Sequence, residues 1–202
     1  PMRIEQPTIE GRLLKRYKRF LADVELADGE VITAHCPNTG SLSGCVPEGA
    51  RAILRDSENP KRKLRWTFQT VEVDGTWVNV DTGLPNALVA EAIDAGKVSA
   101  LSGYDSLRRE VKYGTNSRID LLLEDPSRPQ AFVEVKNCHL RREARLAEFP
   151  DSITTRGAKH LDELAAQVAL GHRAVMVFCV QRADCDHFDV AADIDPGYAV
   201  AF

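Results

Sequence analysis

Apolar and polar residues alternate through most of the first half of this chain, and that period of two predicts strands. The predicted strands cover Leu13–Glu25 with a break near Arg19, then Glu30–His35, Ala50–Arg55, Arg65–Val73 and Trp77–Val80. Asp28-Gly29 and Asp74-Gly75 are hairpin signals, since both residue types tolerate the positive φ of a tight turn. Short strands with glycine turns predict a small barrel of the OB type. Pro37–Gly44 (PNTGSLSG) is rich in turn residues and reads as a loop.

The period changes after Thr82-Gly83-Leu84-Pro85, a predicted linker. Asn86–Ala95 has helical spacing, with Asn86 as N-cap and Gly96 as stop. Strands follow over Leu107–Tyr113, Ser117–Glu124 and Ala131–Asn137, and then a basic loop leading to Pro150. Ala158–Leu170 predicts a second helix. Arg173–Val180 is a continuous apolar run, expected as a fully buried strand. Asp184–His187 reads as a turn. The expected fold is mixed α/β (α+β): an OB-like β-barrel over residues 1–82, then an α-β-β-β-α-β domain over residues 83–202.

The chemistry lies in Arg118–Lys136. On its first strand Ile119, Leu121 and Leu123 share one face, and Asp120 and Leu122 the other. On the second, Ala131, Val133 and Val135 share one face, and Phe132, Glu134 and Lys136 the opposite one. A hairpin brings Asp120, Glu134 and Lys136 together. Such charges are costly on a half-buried face unless they are paired or hold a metal. One reading is metal-assisted phosphodiester hydrolysis. Asp120 and Glu134 would ligate Mg2+ or Mn2+, with the Val135 carbonyl as a third protein ligand. Lys136 would orient the water or stabilise developing charge. Glu110, on the preceding strand, would support the metal ligands from behind or ligate a second metal. A structural ion pair is the alternative, because a bare D…ExK pattern is common.

Composition narrows the partners. The 202 residues are 44% apolar and 28% charged, with a formal net charge of −4. Global charge therefore gives no support to nucleic-acid binding, and local patches must carry it. Arg12, Lys15, Arg16, Lys18 and Arg19 precede the next acid, Asp23, with Tyr17 and Phe20 interleaved. Cations and rings on one barrel strand suit phosphates and bases, although a lysine-rich edge strand reads the same way. Lys61, Arg62, Lys63 and Arg65 form a second cluster, and Arg141, Arg142 and Arg145 a third. Each is equally a solvated loop. Asn38 and Thr39 suit a phosphate or a turn. Arg156 and Lys159 open the second helix, whose free N–H groups favour an anion; His160 reads as capping or packing.

The expected partner is DNA, with RNA or single strands as alternatives because OB barrels often hold them. His35, His139, His172 and His187 lack ligand spacing, so zinc is not expected. No apolar run reaches the roughly 20 residues of a membrane span, and the N-terminus lacks the apolar core of a secretory signal. Five cysteines without a CxxC pair suit a reduced, cytoplasmic compartment. Pro1 before Met2 reads as a cloning remnant. No sequence pattern fixes an oligomeric state.

At Asp120, Glu134 and Lys136 the chain resembles the PD-(D/E)xK nuclease superfamily. As a whole it resembles the sugar fermentation stimulation protein A family, through GRLLKRYKRFLADV from Gly11, HCPNTGS from His35, RREVKYGTNSRIDLLL from Arg108, FVEVKN from Phe132, FPDSITTRGAKHLDEL from Phe149 and DPGYAVAF from Asp195. The resemblance implies an N-terminal OB-like domain, a nuclease-like domain, DNA binding and a link to the regulation of sugar (maltose) metabolism. By position it makes Asp120, Glu134 and Lys136 the catalytic triplet and Glu110 the upstream acid. Cys138 and His139 stand where family members often carry a small aliphatic residue and a threonine. The chain stops at Phe202, short of the family's usual C-terminal strand and helix, so the resemblance implies a further segment there.

Overall fold

Six strands form the first sheet: β1 (Thr8–Tyr17), β2 (Leu21–Glu25), β3 (Val31–His35), β4 (Arg51–Asp56), β5 (Trp66–Val73) and β6 (Thr76–Asn79), as described by a computed structural model of residues 1–202. Their order is β3-β2-β1-β4-β5-β6, and a parallel contact between His35 and Thr67 also joins β3 to β5. β1 therefore pairs on both sides while the sheet curls back on itself, which is the strand circuit of an OB fold. Alternate residues turn inward, and Leu13, Val24, Leu54, Phe68 and Val71 are fully buried. Gly11 lets β1 approach β2: a Cβ there would stand 2.5 Å from Val24 Cγ1 and 2.6 Å from the Glu25 carbonyl oxygen.

The second half runs α1 (Pro85–Asp94), a 3-10 turn (Ser99–Leu101), β7 (Ser106–Tyr113), β8 (Ser117–Asp125), β9 (Arg128–Cys138), β10 (Leu140–Glu143), β11 (Arg145–Phe149), α2 (Thr155–Ala169), β12 (Arg173–Val180), β13 (Cys185–Val190) and α3 (Pro196–Ala201). Four strands form a sheet in the order β12-β9-β8-β7, with β12 parallel to β9. Val89 and Ile93 of α1 pack with Leu121, Leu123 and Val133 on one side. Leu164 of α2 packs with Ile119, Leu122 and Phe132 on the other. The sheet is thus covered by a helix on each face, and ionisable groups on it must emerge at an edge or end.

Several expectations change. The basic loop before Pro150 is instead β10 and β11, which join β13 in a third sheet. The expected turn at Asp184–His187 contains the start of β13. These stretches carry too many charges to alternate cleanly, and ion pairs take the place of apolar contacts: Arg142 reaches Glu148 and Asp193, and Arg141 reaches Asp74 and Asp184. β12 is half-buried, not fully buried, because it lies at the edge of its sheet. Ile119 packs with Leu122 rather than with Leu121 and Leu123. The simple alternation fails there beside Glu110, whose φ of 56° is left-handed and strained for a residue with a Cβ. Asn86 is not an N-cap. Pro85, with φ preset for a helix, opens α1, and Leu84 occupies the cap without a side-chain bond.

The two halves meet through the Pro37–Gly44 loop. Asp151 accepts the Leu42 N–H at 3.2 Å and contacts His139 Nε2 at 3.0 Å. The Thr82 hydroxyl donates to the Pro37 carbonyl at 3.2 Å. No helix is long and apolar enough to cross a membrane.

Candidate active site

Asp120 and Glu134 occupy adjoining strands, one step beyond the Leu121–Val133 pair. The Asp120 carboxylate accepts the Val135 N–H at 2.7 Å through Oδ2 and the Asn86 side-chain amide at 3.0 Å through Oδ1. The same Asn86 amide reaches Glu110 Oε1 at 3.3 Å. Burial, followed by the nearby charge of Glu134, pushes the Asp120 carboxyl above its usual range despite those bonds. Two carboxylates forced together in a partly dry site are poised for a cation.

Glu134 is 3% exposed. Its Oε1 lies 2.9 Å from Lys136 Nζ and 3.0 Å from His160 Nδ1. An ionised carboxylate only accepts, so the imidazole donates from Nδ1. Glu134 Oε2 is buried and has no partner. An ionised oxygen left bare in the interior is costly, and a divalent cation would satisfy it. Magnesium is commonly held by one or two carboxylates plus water, which suits this pair. No three His, Cys, Asp or Glu side chains gather closely enough to cage an ion, and Glu110 meets Asp120 through the shared Asn86 amide.

These groups line a cleft of about 720 Å³ that also takes in Val135, Arg156 and Lys159. The start of α2 forms one wall. Thr154 caps it by accepting the Gly157 N–H at 3.0 Å, and Asp195 Oδ2 accepts the Thr154 N–H at 2.8 Å. Gly157 fits tightly: a Cβ there would lie 2.8 Å from Thr154 Cγ2 and 3.2 Å from the Tyr198 ring. Three further residues belong to this cleft that the sequence reading left out or assigned elsewhere: Asn86, Asn137 and His160. Both amide atoms of Asn137 are buried without partners. His160 had a legible signal, since it stands on the buried stripe of α2 with Gly157, Leu161 and Leu164. Asn86 had none, because its residue type suited a cap equally well.

Two family models match the chain. Residues 14–80 match the SfsA N-terminal OB domain, and residues 83–202 match the sugar fermentation stimulation protein RE domain. The chain belongs to the sugar fermentation stimulation protein family. A homolog of that name from Rhodospirillum centenum is 63% identical over 98% of this chain and 85% of its own length. One from Maricaulis maris is 60% identical over 98% and 84%. A solved structure of SfsA from Pyrococcus furiosus, described as in complex with Ca2+, superposes with a TM-score of 0.87 at 27% identity, covering 100% of this chain and 85% of that one.

In the family's OB domain, the predicted nucleic-acid residues separate into different roles. Arg16 is spent on structure: its guanidinium donates to the carbonyls of Arg19, Asn38, Gly40 and Ser41. Asn38 is buried, and its side chain accepts the Gly40 N–H at 2.9 Å. Tyr17 donates its hydroxyl to Asp23 at 3.0 Å, and Lys15 Nζ lies 4.8 Å from its ring centroid. Arg12, Lys15, Lys18, Arg19 and Thr39 are exposed. None of these OB-domain residues lines the carboxylate cleft. Arg141, Arg142 and Arg145 are all ion-paired with acids, which weakens that third basic cluster as a phosphate site.

Proposed function

We propose that the chain is a nucleic-acid-binding phosphodiesterase, with a Mg2+- or Mn2+-dependent centre at Asp120 and Glu134. The buried, unpartnered Oε2 of Glu134 beside the Asp120 carboxylate carries this reading. The Ca2+ named for the Pyrococcus furiosus relative supports a divalent ion in this family. The Val135 carbonyl is a third candidate ligand, and Glu110 acts through the shared Asn86 amide. A bound cation would polarise the phosphate and lower the pKa of an attacking water.

The chain's own groups supply the rest. Lys136, on the same strand face as Glu134, stabilises negative charge developing on phosphorus-bound oxygens. Arg156, Lys159 and the N-terminal N–H groups of α2 hold the phosphates on the opposite wall. His160 positions the Glu134 carboxylate by occupying Oε1, which leaves Oε2 for the cation. Water oxygen bonds to phosphorus, the ester P–O bond breaks, and the leaving oxygen takes a proton. Strained backbone at Glu110 fits a functional edge. The expected substrate is DNA in the cytoplasm, where free cysteines such as these persist. A link to sugar metabolism would then run through nucleic acid.

Labelled duplex DNA, single-stranded DNA and RNA, each incubated with Mg2+ or Mn2+, test this. Cleavage that EDTA stops is expected on at least one of them. Tight binding with no cleavage under any divalent metal would instead make the protein a DNA-binding regulator with an idle nuclease-like centre.

A further inference from the structure

A second cavity, of about 670 Å³, lies on the OB domain between the β1–β2 turn and the β4–β5 loop. Lys18, Phe20, Arg62, Lys63 and His35 contribute to its walls, and no carboxylate does. We propose that this cavity binds single-stranded nucleic acid, with one base stacked on Phe20 and the flanking phosphates on Lys18, Arg62 and Lys63. The proposal rests on the nucleic-acid reading above and places its recognition away from the metal centre.

Phe20 is 46% exposed at the tip of a tight turn. Unlike Tyr17, whose ring carries the Lys15 ammonium, Phe20 makes no ring–ring or cation–ring contact within the chain. Its position is fixed from behind. Lys18 and Arg19 take left-handed φ values of 50° and 66°. Arg16 holds the Arg19 carbonyl at 2.9 Å, and the Cys36 N–H holds the Phe20 carbonyl at 2.7 Å. A ring presented by a rigid turn loses little freedom when it stacks on a base. Across the cavity, Arg62 is anchored by the Thr67 hydroxyl at 3.2 Å. Burial, together with the charge of Arg62, holds His35 below its usual range, so it adds a neutral wall.

The shape selects among nucleic acids. Bases in a duplex are covered by their neighbours, whereas an unpaired base can be splayed onto a ring. Loops at these positions are also where OB folds in general take oligonucleotides. The acidic whole and the basic pocket are compatible, because only local charge meets the phosphates.

The test is fluorescence anisotropy with the full chain in EDTA, so that cleavage is silent. The probes are a labelled thymidine oligonucleotide of about ten nucleotides, a duplex, and free thymidine monophosphate as competitor. Phe20→Ala is expected to weaken single-strand binding about tenfold without changing its salt slope. Phe20→Trp should retain affinity, with bound bases quenching the indole. Lys63→Gln should reduce the salt slope by about one. Single-strand affinity unchanged by Phe20→Ala, or equal losses on the duplex, would overturn this site and leave the metal centre untouched. A mononucleotide that competes as well as the oligonucleotide would overturn the strand assignment. If the wild-type chain binds neither strand form, the nucleic-acid reading itself fails, a result distinct from failure of Phe20 alone.

Discussion

Glu134→Gln is expected to lower the proposed metal-dependent cleavage rate by about a thousandfold, a loss that single-turnover kinetics at saturating Mn2+ would measure. The amide keeps the shape of the side chain and removes its charge. The stabilisation lost at the phosphate is several kcal/mol, which converts to that factor. Nucleic-acid affinity in EDTA stays within a few-fold, because the cations at Arg156 and Lys159 are untouched. The fold is retained as well. Lys136 Nζ and His160 Nδ1 lose an ionic partner, but the amide oxygen that replaces Glu134 Oε1 still accepts from both. Asp120→Ala should lose as much activity. If either variant cleaves at the wild-type rate, its carboxylate has no part in the reaction.

Asp151→Ala acts on stability instead, at the joint between the OB domain and the second half of the chain. It leaves the His139 Nε2 and the Leu42 N–H without their acceptor. His139 is 6% exposed, and its Nδ1 is already without a partner. Removing one member of such a buried pair costs about 3 kcal/mol, read as a lower denaturation midpoint. The same contact sets an acid response. Burial pushes the Asp151 carboxyl up, but the hydrogen bond and charge of His139 outweigh it and hold it below the usual 3.8. A carboxyl lowered on folding stabilises fully above its unfolded value, and that stability is lost as pH falls through the lower folded value. The wild type should therefore lose stability below about pH 4 more steeply than Asp151→Ala. Equal acid slopes for the two proteins would remove Asp151 from the acid response.

The strand periods and turn residues made most of the fold legible. Alternation places five of the six OB strands within a few residues, and it puts Asp120, Glu134 and Lys136 on one hairpin. The misses have physical reasons. β10, β11 and β13 are held together with the help of Arg–carboxylate pairs, and a pattern search for apolar alternation does not see charges pairing across strands. The break between Ile119 and Leu121, which pack on opposite faces of the sheet, lies in backbone geometry that residue types do not reveal. Asn86 illustrates a deeper limit: the residue that suits a helix cap also suits a hydrogen bond to two carboxylates, and only the path of the chain decides between them. In the sequence the basic run from Arg12 to Arg19 reads as one surface. The fold divides it into a structural arginine, a tyrosine engaged at both ends, and a turn that presents Phe20.

The proposed chemistry depends on Asp120 and Glu134 holding a divalent ion. Anomalous diffraction from a crystal soaked in Mn2+ tests it most directly. A peak bonded to Glu134 Oε2 and an Asp120 oxygen at about 2.2 Å, completed by water and the Val135 carbonyl, is expected. A saturating soak that leaves Glu134 bound only to Lys136 and His160, with no peak in the cleft, would contradict it.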